Sequence, residues 1–137
     1  MDKVLNTLAL ARKAGKAELG EEPVGAASRL LHAHLILVAN DASDHTWRRA
    51  KSYAAGTDQQ CVRVKYTKAE LGFIIGRQEL AIAAITDPGM ALAFVEGLDM
   101  PERYKDTIAV LADKKSKYLQ RQKESKAHKR NIRFGKK

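Results

Sequence analysis

A few groups of side chains in this 137-residue chain have types and spacings that can do chemistry. Glu21 and Glu22 stand side by side in "ELGEEPVG" (18–25), after Gly20 and before Pro23. Gly20 ends a short extended run and Pro23 suits the first turn of a helix, so the two carboxylates head that helix. There they complement the helix dipole, worth about 0.3 to 1 kcal/mol each, and need no ligand. A carboxylate can also accept hydrogen bonds from base-edge N–H groups while repelling phosphate, which is how a base reader behaves. Both readings stay open on this stretch alone. A general acid and base pair is poorly served here, because neighbours on a helix point about 100° apart.

The other reactive residue types are sparser. "NDASDH" (40–45) offers Asp41, Asp44 and His45, which read more simply as a strand-end turn residue, a first-turn acid and an exposed helical residue than as metal ligands. His32 and His34 alternate before a strand without further ligand-spaced residues. Cys61 is the single cysteine, which excludes a disulfide framework or a cysteine cage, and it reads as a buried structural thiol in a reducing compartment. Phosphate loop, dinucleotide glycine pattern and nucleophile elbow are all absent. The expectation is a protein without catalytic residues, metal or cofactor, and not an enzyme.

Charge supplies the next constraint. The net charge is +9, yet residues 1–112 hold 14 Lys+Arg against 14 Asp+Glu, while residues 113–137 hold 11 against 2. All of the excess lies in "DKKSKYLQRQKESKAHKRNIRFGKK", a segment with too few apolar residues for a core. Clustered Lys and Arg displace counterions from nucleic acid, so this end reads as a polyanion-binding arm on a neutral domain. No run approaches the roughly 20 apolar residues that span a bilayer, and "MDKVLNTLALARKAGK" carries no signal-peptide pattern. A soluble, cytoplasmic protein with no membrane partner is expected.

The elements that would position these residues follow from periodicity. Val4, Leu5, Leu8 and Ala11 recur at helical spacing up to about Gly15; Val24, Ala27, Leu30 and Leu31 form a second stripe; Trp47, Ala50 and Ala54 form a third. "LILVAN" (35–40) and "AIAAIT" (81–86) read as strands covered on both faces, "CVRVKY" (61–66) as a strand nearer the edge, and "KAEL" (16–19) as a very short fourth. Ser43 and Asp44, Thr67 with Glu70, and Asp87 before Pro88 mark helix starts. Helices alternate with strands throughout. The expected fold is α/β, a three-layer α/β/α sandwich with a small four-stranded mixed sheet over residues 1–98. Beyond "GLDMP" (97–101), Tyr104, Ile108, Leu111 and Tyr118 predict a basic helix over the start of 99–137, docked and then fraying after about Glu124.

The succession "ARKAGKAELGEE", "LILVANDAS", "YTKAELGFIIG" and "AIAAITDPG" resembles the bacterial members of the ribosomal protein L-seven-Ae and L-thirty-e superfamily, which bind kink-turns in RNA. The resemblance covers about residues 4–98 and implies an α/β/α sandwich acting as a binding module. In that family a Gly-x-Asn-Glu element at the start of the second helix reads the guanines of tandem sheared G·A pairs, and a Lys one turn on assists. A turn before the fourth strand covers a flipped-out nucleotide. On this chain Glu22 takes the family's Glu position, Glu21 stands where Asn is usual and Gly25 where the Lys is usual. An ionised Glu only accepts where Asn also donates, so base preference is expected to differ. Arg29, a further turn along, is a candidate replacement for the missing cation. In the covering turn Gly76 matches, Arg77 replaces a small aliphatic and offers a guanidinium plane for stacking, and Leu80 keeps apolar character. Asn40 and Asp41 match the family's acidic loop. The RNA-contacting set implied is therefore Lys16, Gly20, Glu21, Glu22, Arg29, Asn40, Asp41, Gly76, Arg77 and Leu80.

The sequence thus predicts a monomeric RNA-binding protein, ribosome-associated or otherwise bound to structured RNA such as a kink-turn or rRNA. The competing reading is a ribonucleoprotein assembly protein whose sandwich contacts protein while only the basic tail contacts RNA.

Overall fold

The computed structural model describes residues 2–133, with side chains up to Lys126. The elements run α1 (Lys3–Lys13), β1 (Ala17–Leu19), α2 (Glu21–Arg29), β2 (Leu35–Val38), α3 (Asp44–Ala54), β3 (Gln60–Arg63), α4 (Lys68–Ile74), β4 (Ile82–Ile85), α5 (Pro88–Gly97) and α6 (Lys105–Arg133). The start signals act as the sequence predicts. Ser43 Oγ accepts from Thr46 N, Thr67 and Glu70 close a capping box, and Asp87 caps α5 with Pro88 in its first turn. Asp2 caps α1 and also accepts from the Tyr66 hydroxyl at 2.8 Å, a bond that holds its carboxyl below the usual range.

The strands form one mixed sheet in the order β1-β4-β2-β3. β2 and β3 run parallel in the register Ile36 to Cys61, whereas β4 runs antiparallel to both β1 and β2. Every residue of β2 and β4 is buried, as the unbroken apolar runs require for central strands covered on both faces. The alternating β3 is an edge strand. α2 packs with α3, while α1 packs with α4 and α5, so the sheet lies between two helical layers. The α/β sandwich read from the sequence is the observed fold.

Three local features differ from the sequence expectation. Leu30 and Leu31 do not extend the apolar stripe of α2: the helix ends at Arg29, Leu31 takes φ +61°, and both side chains are exposed. α6 continues past Glu124, where fraying is expected, to Arg133; residues 134–137 lie outside the described residues. Its first turns belong to the main core, where Tyr104 and Leu111 are buried with Phe94, Val95 and Leu98. Cys61 is only half-buried, and burial pushes its thiol up to about 12 against the opposing charge of Lys51.

The contacts of α6 give its direction. The Tyr104 hydroxyl donates to the Arg63 carbonyl at 3.2 Å and the Thr107 hydroxyl to Gln60 Oε1 at 3.0 Å. Lys114, only 12% exposed, pairs with Asp58 at 3.1 Å and donates to His34 Nδ1 at 3.2 Å. The helix therefore follows β3 backwards, from its last residue to its first, and leaves the domain beyond the start of β2. From Lys114 to Arg133 it reaches roughly 28 Å further, at about 1.5 Å per residue.

Candidate nucleic-acid interface

Backbone hydrogen bonds show which segments meet at the end of the sheet where β1 and β2 finish and β4 begins. Gly20 N–H donates to the Ile82 carbonyl at 3.0 Å and Ala39 N–H to the Ala81 carbonyl at 2.9 Å. Asn40 N–H reaches the Tyr66 carbonyl at 2.8 Å, and Leu80 N–H reaches the Lys68 carbonyl at 2.9 Å. Four segments far apart in sequence are thereby gathered: the head of α2, the loop after β2, the start of α4 and the turn before β4. Gly20, at φ +98°, lets the chain turn from β1 into α2 within one residue.

At the head of α2 the two carboxylates have different surroundings. Glu22 is exposed and makes no hydrogen bond or salt bridge among the described residues. Glu21 Oε2 lies 3.2 Å from Arg49 Nη1 on α3, while its Oε1 is buried and lacks a partner. Gly25 faces Tyr53: a Cβ at position 25 would sit 3.1 Å from the Tyr53 hydroxyl oxygen. A side chain larger than hydrogen therefore requires that ring to give way. Glu21, Glu22, Gly25 and Arg29 line a concavity of about 340 Å³ with Arg49 and Tyr53. Positions 22, 25 and 29 share one face of α2, as their spacing dictates. Two guanidinium groups and two carboxylates thus share the concavity, and an aromatic ring fills the place a longer side chain at 25 would take.

Arg49 and Tyr53 are absent from the set read off the sequence. They stand four apart on α3 and so project from one face, and that i, i+4 pairing of a fork-shaped cation with an aromatic was available as a signal. What the sequence lacked was the packing of α3 against α2. The Ser28 hydroxyl, donating to the Tyr53 carbonyl at 3.0 Å, fixes that packing.

The remaining predicted residues divide. Asn40 is exposed beside the site, and Asp41 commits Oδ1 to the Lys68 N–H at 2.8 Å, so its first task is to hold the start of α4. Gly76, at φ +76° with open space around it, and exposed Arg77 form the protruding turn. Leu80 is 3% exposed and belongs to the core, so in this structure its side chain anchors the turn from below and presents no surface. Lys16 lies apart. Its carbonyl accepts from Thr86 N–H at 2.8 Å, at the far end of β1, about 13 Å along the strand from Gly20. It lines a separate concavity with Pro23, Leu30 and His32.

Among the described residues, no group of three or more His, Cys, Asp or Glu side chains is placed to hold a metal ion. No described helix is long and apolar enough to cross a membrane. Asp44 and His45 are exposed in the first turn of α3.

Comparison with known proteins adds the lineage. The chain matches no protein-family model. It is 34% identical over 89 residues to the RNA-binding protein YlxQ of Enterococcus faecium, spanning 65% of this chain and 84% of that protein. It is likewise 34% identical over 97 residues to the RNA-binding protein YlxQ of Bacillus subtilis, spanning 67% of this chain and 91% of the relative. Among solved structures, a protein of unknown function from Bacillus halodurans superposes with TM-score 0.67 at 25% identity, over 72% of this chain and 99% of that one. The 15.5kD RNA binding protein of Giardia lamblia superposes with TM-score 0.59 at 16% identity, over 73% and 85%, which shows a shared fold. With two relatives of one name matched over most of their length, and with the sandwich and the order of its segments in place, the chain belongs to the YlxQ family within the L-seven-Ae-like superfamily.

Proposed function

We propose that this protein binds structured RNA, reading a kink-turn or a closely similar fold with the head of α2 and the turn before β4. It acts as a monomer in the cytoplasm, in association with the ribosome. The observation that carries this reading is the exposed carboxylate of Glu22, unpartnered among the described residues and sharing one concavity with Arg29 and Arg49 at the sheet end where the Gly76–Arg77 turn also projects. The relatives named RNA-binding proteins support RNA as the partner. In this arrangement the guanidinium groups hold phosphate and the carboxylate accepts from guanine N–H groups, dividing positioning from specification. Nothing in the concavity resembles an activated nucleophile or an acid and base pair, which favours binding over catalysis.

The test compares the full chain on a kink-turn RNA with the same strands carrying Watson–Crick pairs in place of the tandem sheared pairs. About fivefold or greater preference for the kink-turn is expected, since the Watson–Crick pairs no longer offer their guanine N–H donors to the carboxylate, at a cost of about 1 to 3 kcal/mol. Equal affinity for both would reduce the protein to a shape-blind polyanion binder.

A further inference from the structure

The helical period divides α3 into an inward face, two flanks and a crest. Buried Ala50 marks the inward face, packed on the sheet. Arg49 and Tyr53 form the flank towards α2 and line the concavity described above. Trp47 and Lys51, also four apart, form the flank towards β3, and exposed His45, Arg48 and Ser52 make the crest between the two. On the β3 flank the half-buried indole of Trp47 has Lys51 Nζ at 5.2 Å and Arg63 Cζ at 5.5 Å from its ring centre. Arg63 ends β3, and its Nη2 donates to the Ala42 carbonyl at 2.8 Å, which fixes the guanidinium near the head of α3. One ring thus holds two cations in place, so little ordering is left to be done on binding.

The charge of this surface has one sign. α3 and β3 carry Arg48, Arg49, Lys51 and Arg63 against a single acid, Asp44 in the first turn, although the charges of residues 1–112 cancel. The neighbouring acids are occupied or offset: Glu21 pairs with Arg49, Asp58 in the loop between α3 and β3 pairs with Lys114, and Asp106 stands next to Lys105 where α6 starts beside β3. Arg48, Lys51 and Arg63 make no salt bridge among the described residues. Like charges grouped without a counter-charge repel, so their grouping calls for an anionic partner. The crest is a convex helix face that continues from the Arg49 side of the concavity, which suits a chain of phosphates better than a single small anion. We infer that the outer surface of α3 is a second RNA contact, a track for the phosphates of the stem that leads into the base-reading concavity. Arg48 takes them on the crest, and Lys51 and Arg63 on the β3 flank. Such contacts position the RNA and leave the reading of bases to the head of α2. The inference rests on the RNA-binding reading above and extends it from the bases to the adjoining stem.

The experiment uses the full chain and a kink-turn RNA with base-paired stems on both sides, titrated at several salt concentrations. Arg48→Gln combined with Lys51→Gln is compared with Arg12→Gln combined with Lys13→Gln, two exposed cations at the end of α1 in the opposite helical layer, so that both variants lose the same net charge. The α3 variant should lose about tenfold in affinity at about 0.1 M salt, with the salt slope falling by about 1.4 to 1.8 for two phosphate contacts, while the α1 variant stays close to wild type. Arg48→Lys combined with Lys51→Arg keeps the charge and should restore both. Preference for sheared over Watson–Crick pairs should survive in the α3 variant. Trp47 is the single tryptophan, and its emission should change when wild type is saturated with RNA. All the substituted side chains are exposed, so thermal melts followed by circular dichroism should match wild type. Equal affinity and slope in the α3 and α1 variants, or Trp47 emission unmoved by RNA, overturns the inference while leaving RNA binding intact. Loss of the sheared-pair preference also overturns it, by assigning these cations to base reading. Failure of wild type to bind the RNA overturns the RNA reading and this one together.

Discussion

At the sheet end where β1 finishes, acidic and basic side chains are interleaved on short elements whose backbones are tied together by hydrogen bonds among four segments. At the opposite end, where Lys16, His34, Thr86 and Lys114 lie, the basic helix α6 leaves the domain. The first end belongs to a part of the chain whose formal charges cancel; the second launches nearly all of the excess. The difference separates two ways of holding RNA. Charge without a fixed partner gives affinity that salt removes, whereas a carboxylate sharing a concavity with cations weakens nonspecific attraction and strengthens discrimination. Because the two surfaces sit at opposite ends of the sheet and share no side-chain contact among the described residues, changes to them should add rather than interact.

The strongest break of this comparison is to remove the outer part of α6. Residues 119–137 hold eight Lys+Arg and one Glu, and their loss spares Lys114, Tyr104 and Leu111, which dock the helix. Affinity at about 0.1 M salt should fall about 100-fold or more, equally for kink-turn and duplex, with the salt slope dropping by about 0.7 to 0.9 per lost phosphate contact. Binding titrations at several salt concentrations measure this. An unchanged slope would mean that α6 does not touch RNA.

A smaller effect sharpens the other end. Glu22→Gln should erase the preference for sheared pairs, a loss of about 1 to 3 kcal/mol, even though it makes the protein more positive. Glu21→Gln removes one side of an exposed ion pair with Arg49 and should cost less than about 1 kcal/mol. Competition binding on the matched RNA pair ranks them. If both variants bind more tightly and still discriminate, the carboxylates serve the helix dipole alone. Combined with the α6 truncation, the Glu22 effect should be unaltered.

The smallest effect concerns how α6 is seated. Burial, then the neighbouring Lys114 ammonium, hold His34 below its ordinary pKa, against the pull of Asp58 and Asp87. A lysine ammonium only donates, so the Lys114 contact requires His34 Nδ1 unprotonated. The unfolded chain then binds a proton more readily than the folded one. Stability should therefore decline as pH falls through about 6.5 towards the lowered folded value, and level off below it. Lys114→Met removes one cause of the shift and should flatten that decline. Thermal melts between pH 7 and 5, with the His34 ring signals followed by NMR, report it. An identical decline in wild type and variant would detach Lys114 from His34.

Much of the frame was readable before the structure. The continuous apolar runs at 35–38 and 82–85 mark central strands because only a strand covered on both faces can bury every side chain. Alternation at 61–66 marks an edge, and Thr67 with Glu70 marks a helix start, because these are local backbone requirements. Leu30 and Leu31 misled because apolar spacing continues past the residue where backbone geometry stops the helix. Leu80 misled in the other direction: its character fits an RNA-facing turn, and only burial reveals it as an anchor.

Local order along the chain fixed the identity of the elements, the head of α2 and the uneven charge, since each depends on neighbours a few residues apart. The Arg49–Glu21 pair, the fit of Tyr53 against Gly25, the seating of Arg63 over Trp47 and the exit of α6 from the opposite end were decided by tertiary packing. Each joins segments whose separation in sequence carries no information about distance, and a side chain's task depends on what packs beside it.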